Sequence, residues 1–174
     1  MGKGDATNAK FIATINSFTA ETINMSIKVK QEIAKELFRR IINRTPIGIP
    51  NLDHTGDTKG NWTASKNKPS SAILKRIDPT GDATIAAIER VVDGWMEGKS
   101  VFLANSSPNI EVLEDGGYIK SPEKGTWNPN IGDYEIRSQG GYSKQAPNGF
   151  VKVSLTEFES IVDMVARKHK VTIR

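Results

Sequence analysis

One stretch constrains this chain more than any other. From about Glu21 to Asn43, Ile23, Ile27, Ala34, Leu37, Phe38, Ile41 and Ile42 recur at steps of three, four and seven, the period of one helix face. Lys28, Lys30, Glu32, Lys35, Glu36, Arg39 and Arg40 fill much of the remaining surface, and Glu36→Arg40 is an i,i+4 pair of supportive sign. Arg39, Arg40 and Arg44 crowd the last turn, where the helix dipole favours positive charge. Pro46 pushes Thr45 out of α geometry and stops the helix. A helix of that length is ~35 Å long at about 1.5 Å per residue. The rest of the chain must pack on it or project from it.

Several classes fall away at once. A chain of 174 residues has the length of one domain with a sizeable core, and its net charge of +4 is too mild to argue DNA binding by itself. Cysteine is absent, which removes disulfides and thiolate metal sites and fits a reducing place of synthesis. No apolar run approaches the ~18 residues of a membrane span. MGKGDATNAK lacks a signal-peptide core and is expected to be mobile.

Along the chain, Phe11, Ile15 and Phe18 suggest a short helical lead into the long helix, docked on the body or reaching a neighbouring subunit. IGIPNLDHTGDTKGN reads as an irregular loop. Trp62–Ser65 reads as a strand, and Ala72–Leu74 as a short strand or edge piece. Asp82 is the expected N-cap of a second helix, Ala83 to about Met96, with Ile85, Ile88, Val91, Val92 and Trp95 inward and Gly98 at its end. Val101–Ala104 is the clearest short strand, and Ile110–Glu114 fits a helical turn or a strand. Tyr118–Gly141 is a long Gly/Pro-containing excursion of the kind that carries contacts. Gln145–Gly149 is a turn, Phe150–Leu155 alternates as a strand does, and Thr156 or Ser154 caps a last helix carrying Phe158, Ile161, Val162 and Val165 inward. Val171–Arg174 is a short tail, frayed or added as a strand elsewhere. The expected fold class is α+β: a small antiparallel sheet packed against the long N-terminal helix and two further helices. It forms a single domain over 1–174, with a mobile N-terminus 1–10 and a long inserted loop 117–141.

A catalytic constellation is not evident. Gly98-Lys99-Ser100 lacks the preceding glycine and the following helix of a phosphate-binding loop. His54 lies in a Gly/Pro loop beside Asp53 and Asp57, residues that loops use to bond their own backbone, and His169 sits in a basic helix end. Glu111, Glu114 and Asp115 cluster, as solvated edges or partners of basic residues do. The chain is expected not to be an enzyme and to need no metal or other cofactor.

Ordered motifs remain: Arg44-Thr45-Pro46, His54-Thr55-Gly56, Lys59-Gly60-Asn61-Trp62, Phe102-Leu103-Ala104-Asn105, Leu113-Glu114-x-Gly116 and Gln145-Ala146-Pro147-x-Gly149-Phe150-Val151. In this order, over about residues 21 to 168, they resemble the neck and tail-completion proteins of long-tailed bacteriophages, the group that includes the lambda minor tail protein Z. The chain departs from that pattern in a longer loop after Thr45-Pro46, in Pro108-Asn109-Ile110 where the family carries Pro-Tyr-Ala, and in an insertion between Gly117 and Gly140.

The resemblance implies a structural subunit of the virion neck, assembled in the host bacterial cytoplasm. It implies a ring of copies, a hexamer by expectation, that joins a head-completion or connector protein to the tail terminator or tail tube protein. Genomic double-stranded DNA would pass through the lumen, with no membrane involved. Six compact bodies of this size, each roughly 40 Å across, would leave an opening wide enough for a duplex. Phe11, Phe18, Tyr118, Trp127, Tyr134 and Tyr142 are the interface candidates, and Thr45, Pro46, Thr55, Gly56, Gly60, Asn61, Trp62, Asn105, Leu113, Glu114, Gly116, Gln145, Ala146, Pro147 and Gly149 the structural motif positions. The rival readings are a tail terminator capping the tube, a DNA-binding module, and a hydrolase using His54 or the Glu111/Glu114/Asp115 group.

Overall fold

The computed structural model describes residues 3–118 and 123–170, with the backbone alone for 3–11, 13, 19 and 20. Its first element, α1 (Lys3–Arg44), is 42 residues long, ~63 Å at helical rise, and starts far before Glu21. Among the described side chains, the first buried one along it is Val29. Ile23, expected on the core face, is exposed. Thus α1 has two parts. From Val29 to Arg44 it is a core helix, and the part before it is an arm.

Seen from its sequence, the arm is a poor helix. Between Phe11 and Ser26 stand twelve β-branched, aromatic or short polar residues, each costing roughly 0.5 kcal/mol relative to alanine in a helix interior.

The body is built around the other end. Phe38, Ile41 and Ile42 of α1 meet Trp62, Ile88, Val92, Leu113, Ala146 and Phe150 in one cluster, while Val29 joins Ile161 and Val165 in a second. Strand β1 (Trp62–Lys66) follows a single helical turn, α2 (Asp57–Gly60), and pairs antiparallel with β2 (Val101–Asn105), Trp62 opposite Asn105. Helix α3 (Asp82–Asp93) packs on both α1 and β1. After α4 (Ile110–Asp115), the long excursion carries β3 (Thr126–Asn128), β4 (Asp133–Glu135), β5 (Ser138–Gln139) and β6 (Tyr142–Ser143). These form two further two-stranded ribbons, β3–β4 and β5–β6. The fold is α+β, its described strands divided among three ribbons rather than joined in one sheet.

The chain closes with α5 (Val151–Thr156) and α6 (Phe158–His169). Helix α6 runs antiparallel to α1. At its start Glu157 takes Arg40 and Arg44, each at 2.6 Å, and at its end Lys168 reaches Glu32 at 2.8 Å. The hydrogen bonds from Arg44 and Arg40 hold the Glu157 carboxyl below its usual pKa, and that from Lys168 does the same for Glu32. Inside α1, Glu36 and Arg40 make the expected pair at 2.9 Å.

Five local expectations are corrected. Ala72–Leu74 is irregular, not a strand. Phe150–Leu155 is helical from Val151, and Phe158 is exposed where Ile161 and Val165 are buried. Helix α3 ends at Gly94 rather than Gly98, leaving Trp95 beyond it. Its N-terminus is capped by Asp78, not Asp82: the Asp78 carboxylate accepts the Gly81 N–H (3.0 Å), the Thr84 N–H (2.7 Å) and the Thr84 hydroxyl (2.6 Å). The tail Val171–Arg174 lies outside the described residues.

Burial pushes the Asp78 pKa up, but the bonds from Thr84, Gly81 and Thr80 together leave it below the ordinary carboxylate value. A depressed carboxylate stabilises the fold in full above its unfolded pKa of about 3.9, and that stabilisation is lost as pH falls through the lower folded value. Asp78→Ala should cost about 3 kcal/mol near neutrality, since buried donors are left unmet. The gap from wild type in denaturant titrations should narrow below about pH 4. A constant gap down to the folded pKa would remove this role from Asp78.

Candidate functional site

The motif residues converge where α1 ends. Pro46 stops the helix, and the Thr45 hydroxyl donates back to the Ile41 carbonyl (2.8 Å) while accepting the Trp62 indole N–H (2.8 Å). Thr55 folds the following loop by donating to the Ile49 carbonyl and accepting the Leu52 N–H. Gly56 turns the chain in the left-handed region, φ 84°, where a Cβ would lie 2.5 Å from Pro79. At Gly60 a Cβ would lie 1.9 Å from the Arg76 carbonyl oxygen, so the backbones touch there. Arg76 returns to the same place and donates to the Gly60 and Trp62 carbonyls. The Asn61 side chain accepts the Leu74 N–H, and Asn105 donates to the Thr58 carbonyl (2.8 Å) and accepts the Ser107 N–H (2.9 Å). Lys59 is buried, its ammonium donating to the Asn43 carbonyl in α1's last turn (3.2 Å). Burial lowers its pKa, and Asp78 opposes the shift.

The second half of the motif locks onto the first. Leu113 is in the core, while the Glu114 carboxylate accepts the N–H groups of Phe150, Val151 and Lys152 at 2.8, 2.9 and 2.8 Å. Three donors that a new helix leaves free are met by one charge, which is why this alternating stretch coils into α5. Gly149 backs onto Glu114, and Gly116 lies against the Tyr142 ring. The Gln145 amide accepts the Ile47 and Gly48 N–H groups and donates to the Gly48 carbonyl (2.8 Å), tying the loop after α1 to the turn before α5. Ala146 fills the core behind it, and Pro147 bridges to Gly149. These residues are therefore spent inside the fold.

Between the two halves opens a cleft of about 350 Å³, bordered by Pro46, His54, Asp57, Tyr118, Arg137 and Gln145. Burial raises the Tyr118 hydroxyl pKa and the Arg137 charge opposes that shift. His54 and Asp57 are exposed. The acidic group proposed for a hydrolase divides: Glu114 holds backbone, Asp115 pairs with Lys152, and Glu111 is exposed. His169 Nε2 faces Glu32 Oε1 at 3.1 Å. Among the described residues no three His, Cys, Asp or Glu are placed to share a metal ion.

The interface candidates occupy separate places. Phe18 is 67% exposed on the arm; the Phe11 side chain lies outside the described atoms. Trp127 and Tyr134 sit opposite each other on β3–β4, rings edge to face at 5.4 Å, each about half exposed at 50% and 51%. Tyr118 borders the cleft and Tyr142 is half-buried against Gly116. Sequence reasoning missed Asp78, Arg76 and the capping work of Lys59. Asp78-Pro79-Thr80-Gly81 is a turn signature that could have located the first.

Glu114→Gln should cost about 2 kcal/mol of stability and Glu114→Ala about 3, since charged acceptors of backbone donors are worth more than neutral ones. Thermal melts of both variants check this; a Glu114→Ala melt matching wild type would mean that α5 needs no such cap.

No protein-family model, curated protein or solved structure matches this chain.

Proposed function

We propose that this chain is a structural subunit of a bacteriophage virion neck, a tail-completion protein that forms a ring between the DNA-filled head and the tail. The ordered motifs support the reading, and one structural observation carries it: apolar side chains stay exposed in two groups, on the arm and on the β3–β4 ribbon. Most motif residues, and Glu114 and Asp115 of the acidic candidates, are taken up by bonds within the chain. Among the exposed large hydrophobics, Ile12, Ile15, Phe18, Ile23 and Met25 lie on the arm and Trp127, Ile131, Tyr134 and Ile136 on and beside the β3–β4 ribbon, while others are scattered over the body. An apolar helix face and an aromatic ribbon suit docking on protein surfaces. Among the described residues no helix is long and apolar enough to cross a membrane, so the arm is not a membrane span. Mild positive charge suits a lumen that passes DNA without gripping it.

The test is the mass of the purified chain alone, then mixed with tails and with DNA-filled heads of the phage that encodes it. A discrete ring on tail ends that restores head joining is expected. Stable binding to tube protein alone, with no effect on joining, would favour the tail terminator, and indifference to both particles would end the reading. Trp127→Ala should leave the melting temperature within about 1 °C, because surface substitutions change stability little. It should reduce joining at least ten-fold if the ribbon is a docking surface.

A further inference from the structure

The cleft at the end of α1 has a lining of two origins. Pro46 and Ile47 come from the loop after α1, while Tyr118 and Arg137 reach it from the long excursion. Both parts are fixed by bonds within the chain. The Tyr118 N–H donates to the Gly141 carbonyl (3.0 Å), the Arg137 carbonyl accepts the Lys144 N–H (2.8 Å), and Gln145 holds the loop through the Gly48 carbonyl (2.8 Å). The cleft is therefore preformed, and its volume of about 350 Å³ lies at the small end of the range for ligand sites.

The pairing of Arg137 is loose. Its side chain is 27% exposed, and its Nε stands 3.9 Å from Glu135 Oε2, outside hydrogen-bond reach. That oxygen already accepts the Asn128 amide at 2.9 Å. A guanidinium carries N–H donors in a planar fork, and one drawn partly out of water gains most from an acceptor that meets two of them at once. The Arg137 charge also acts on the Tyr118 hydroxyl, so the two groups share one corner of the cleft. Burial outweighs that charge and raises the Tyr118 pKa, which keeps the phenol a neutral donor near neutrality. Asp57, exposed, borders the cleft as well. It repels an occupant with one negative charge less than one with the roughly 1.5 to 2 charges of a phosphate.

We infer that this cleft binds a carboxylate carried on a short apolar stem, with the Arg137 guanidinium as its ion-pair partner and the Tyr118 hydroxyl as a second donor. The fork of Arg137 matches the two carboxylate oxygens. Pro46 and Ile47 give the stem an apolar lining to cover, which separates such a ligand from an inorganic anion. A free small acid and the glutamate side chain of a protein segment share this chemistry. Both donors come from Tyr118–Gly141, the stretch by which the chain departs from the ordered motif pattern, so the motif half alone lacks the site. The site goes beyond the neck reading and would stand if the chain formed no ring.

Titration of the full chain, followed by ¹H–¹⁵N NMR, tests the site with butyrate, with acetyl-Ala-Glu-Ala-amide and with inorganic phosphate. The expected result is saturable shifts of the Ile47, Gly48 and Tyr118 amides with butyrate or the glutamate peptide, and no saturation with phosphate over the same range. Whichever carboxylate binds more tightly identifies the source, a free acid or a protein segment. Arg137→Gln should weaken binding about ten-fold or more, and Arg137→Lys, which keeps the charge and loses the fork, by less. Tyr118→Phe keeps the ring and should cost about three-fold, a second test independent of any change at residue 137. The body's fold is followed in each variant by the fluorescence of buried Trp62. Phosphate binding as tight as that of the carboxylates, shifts confined to another part of the chain, Arg137→Gln binding as wild type does, or no saturation by either carboxylate at about 10 mM would each overturn the inference.

Discussion

The hydroxyl of Thr45 is the joint on which the body depends. It ends α1 by donating to the Ile41 carbonyl and starts β1 by accepting the Trp62 indole, and Trp62 in turn meets Phe150 edge to face at 6.1 Å. One short side chain thus links the helix, the strand and the turn that opens α5. Each such bond is worth about 1 kcal/mol net, but a buried donor or acceptor left without its partner costs about 1–3 kcal/mol. The arrangement is therefore more exacting than it is stabilising. Serine would keep the hydroxyl and lose a packed methyl; valine would keep the shape and leave the indole N–H unmet.

The same economy runs through the body. Its principal core cluster is built from nine buried residues, few for the several loops that must be held against it. Long loops survive here because their backbone groups are met by side chains, Glu114 and Gln145 from distant residues and Asp78 from across a turn, each serving two or three backbone donors. Apolar burial sets the helix positions, and these polar clamps decide how the chain travels between them.

That division explains what could be read from the sequence. The core half of α1, the strands β1 and β2, and the buried positions Ile161 and Val165 of α6 follow from local periodicity, which a window of a dozen residues contains, though Phe158 does not. Helix α5 does not. Phe150–Leu155 alternates as a strand would, and the carboxylate that overrides this pattern lies 36 residues earlier. The start of α3 reads from the sequence as capped by the adjacent acid, Asp82, because the true cap, Asp78, stands outside the helix across a turn. For the site, the order of the motif residues was legible, but the inward direction of their bonds was not. A Gly-Asn-Trp triplet looks the same in a sequence whether it faces a partner or the end of its own helix.

The arm and the body answer to opposite demands. The body's helix carries good helix formers and paired charges, and each end of α6 is tied to it by ions. The arm carries threonine, asparagine, serine and isoleucine, which make helix formation costly without packing. Replacing those residues by alanine, lysine and glutamate would stabilise the isolated helix and erase its apolar face, because the side chains that weaken the helix are interleaved with those that form that face. A helix of this kind is marginal in water unless its apolar face is packed.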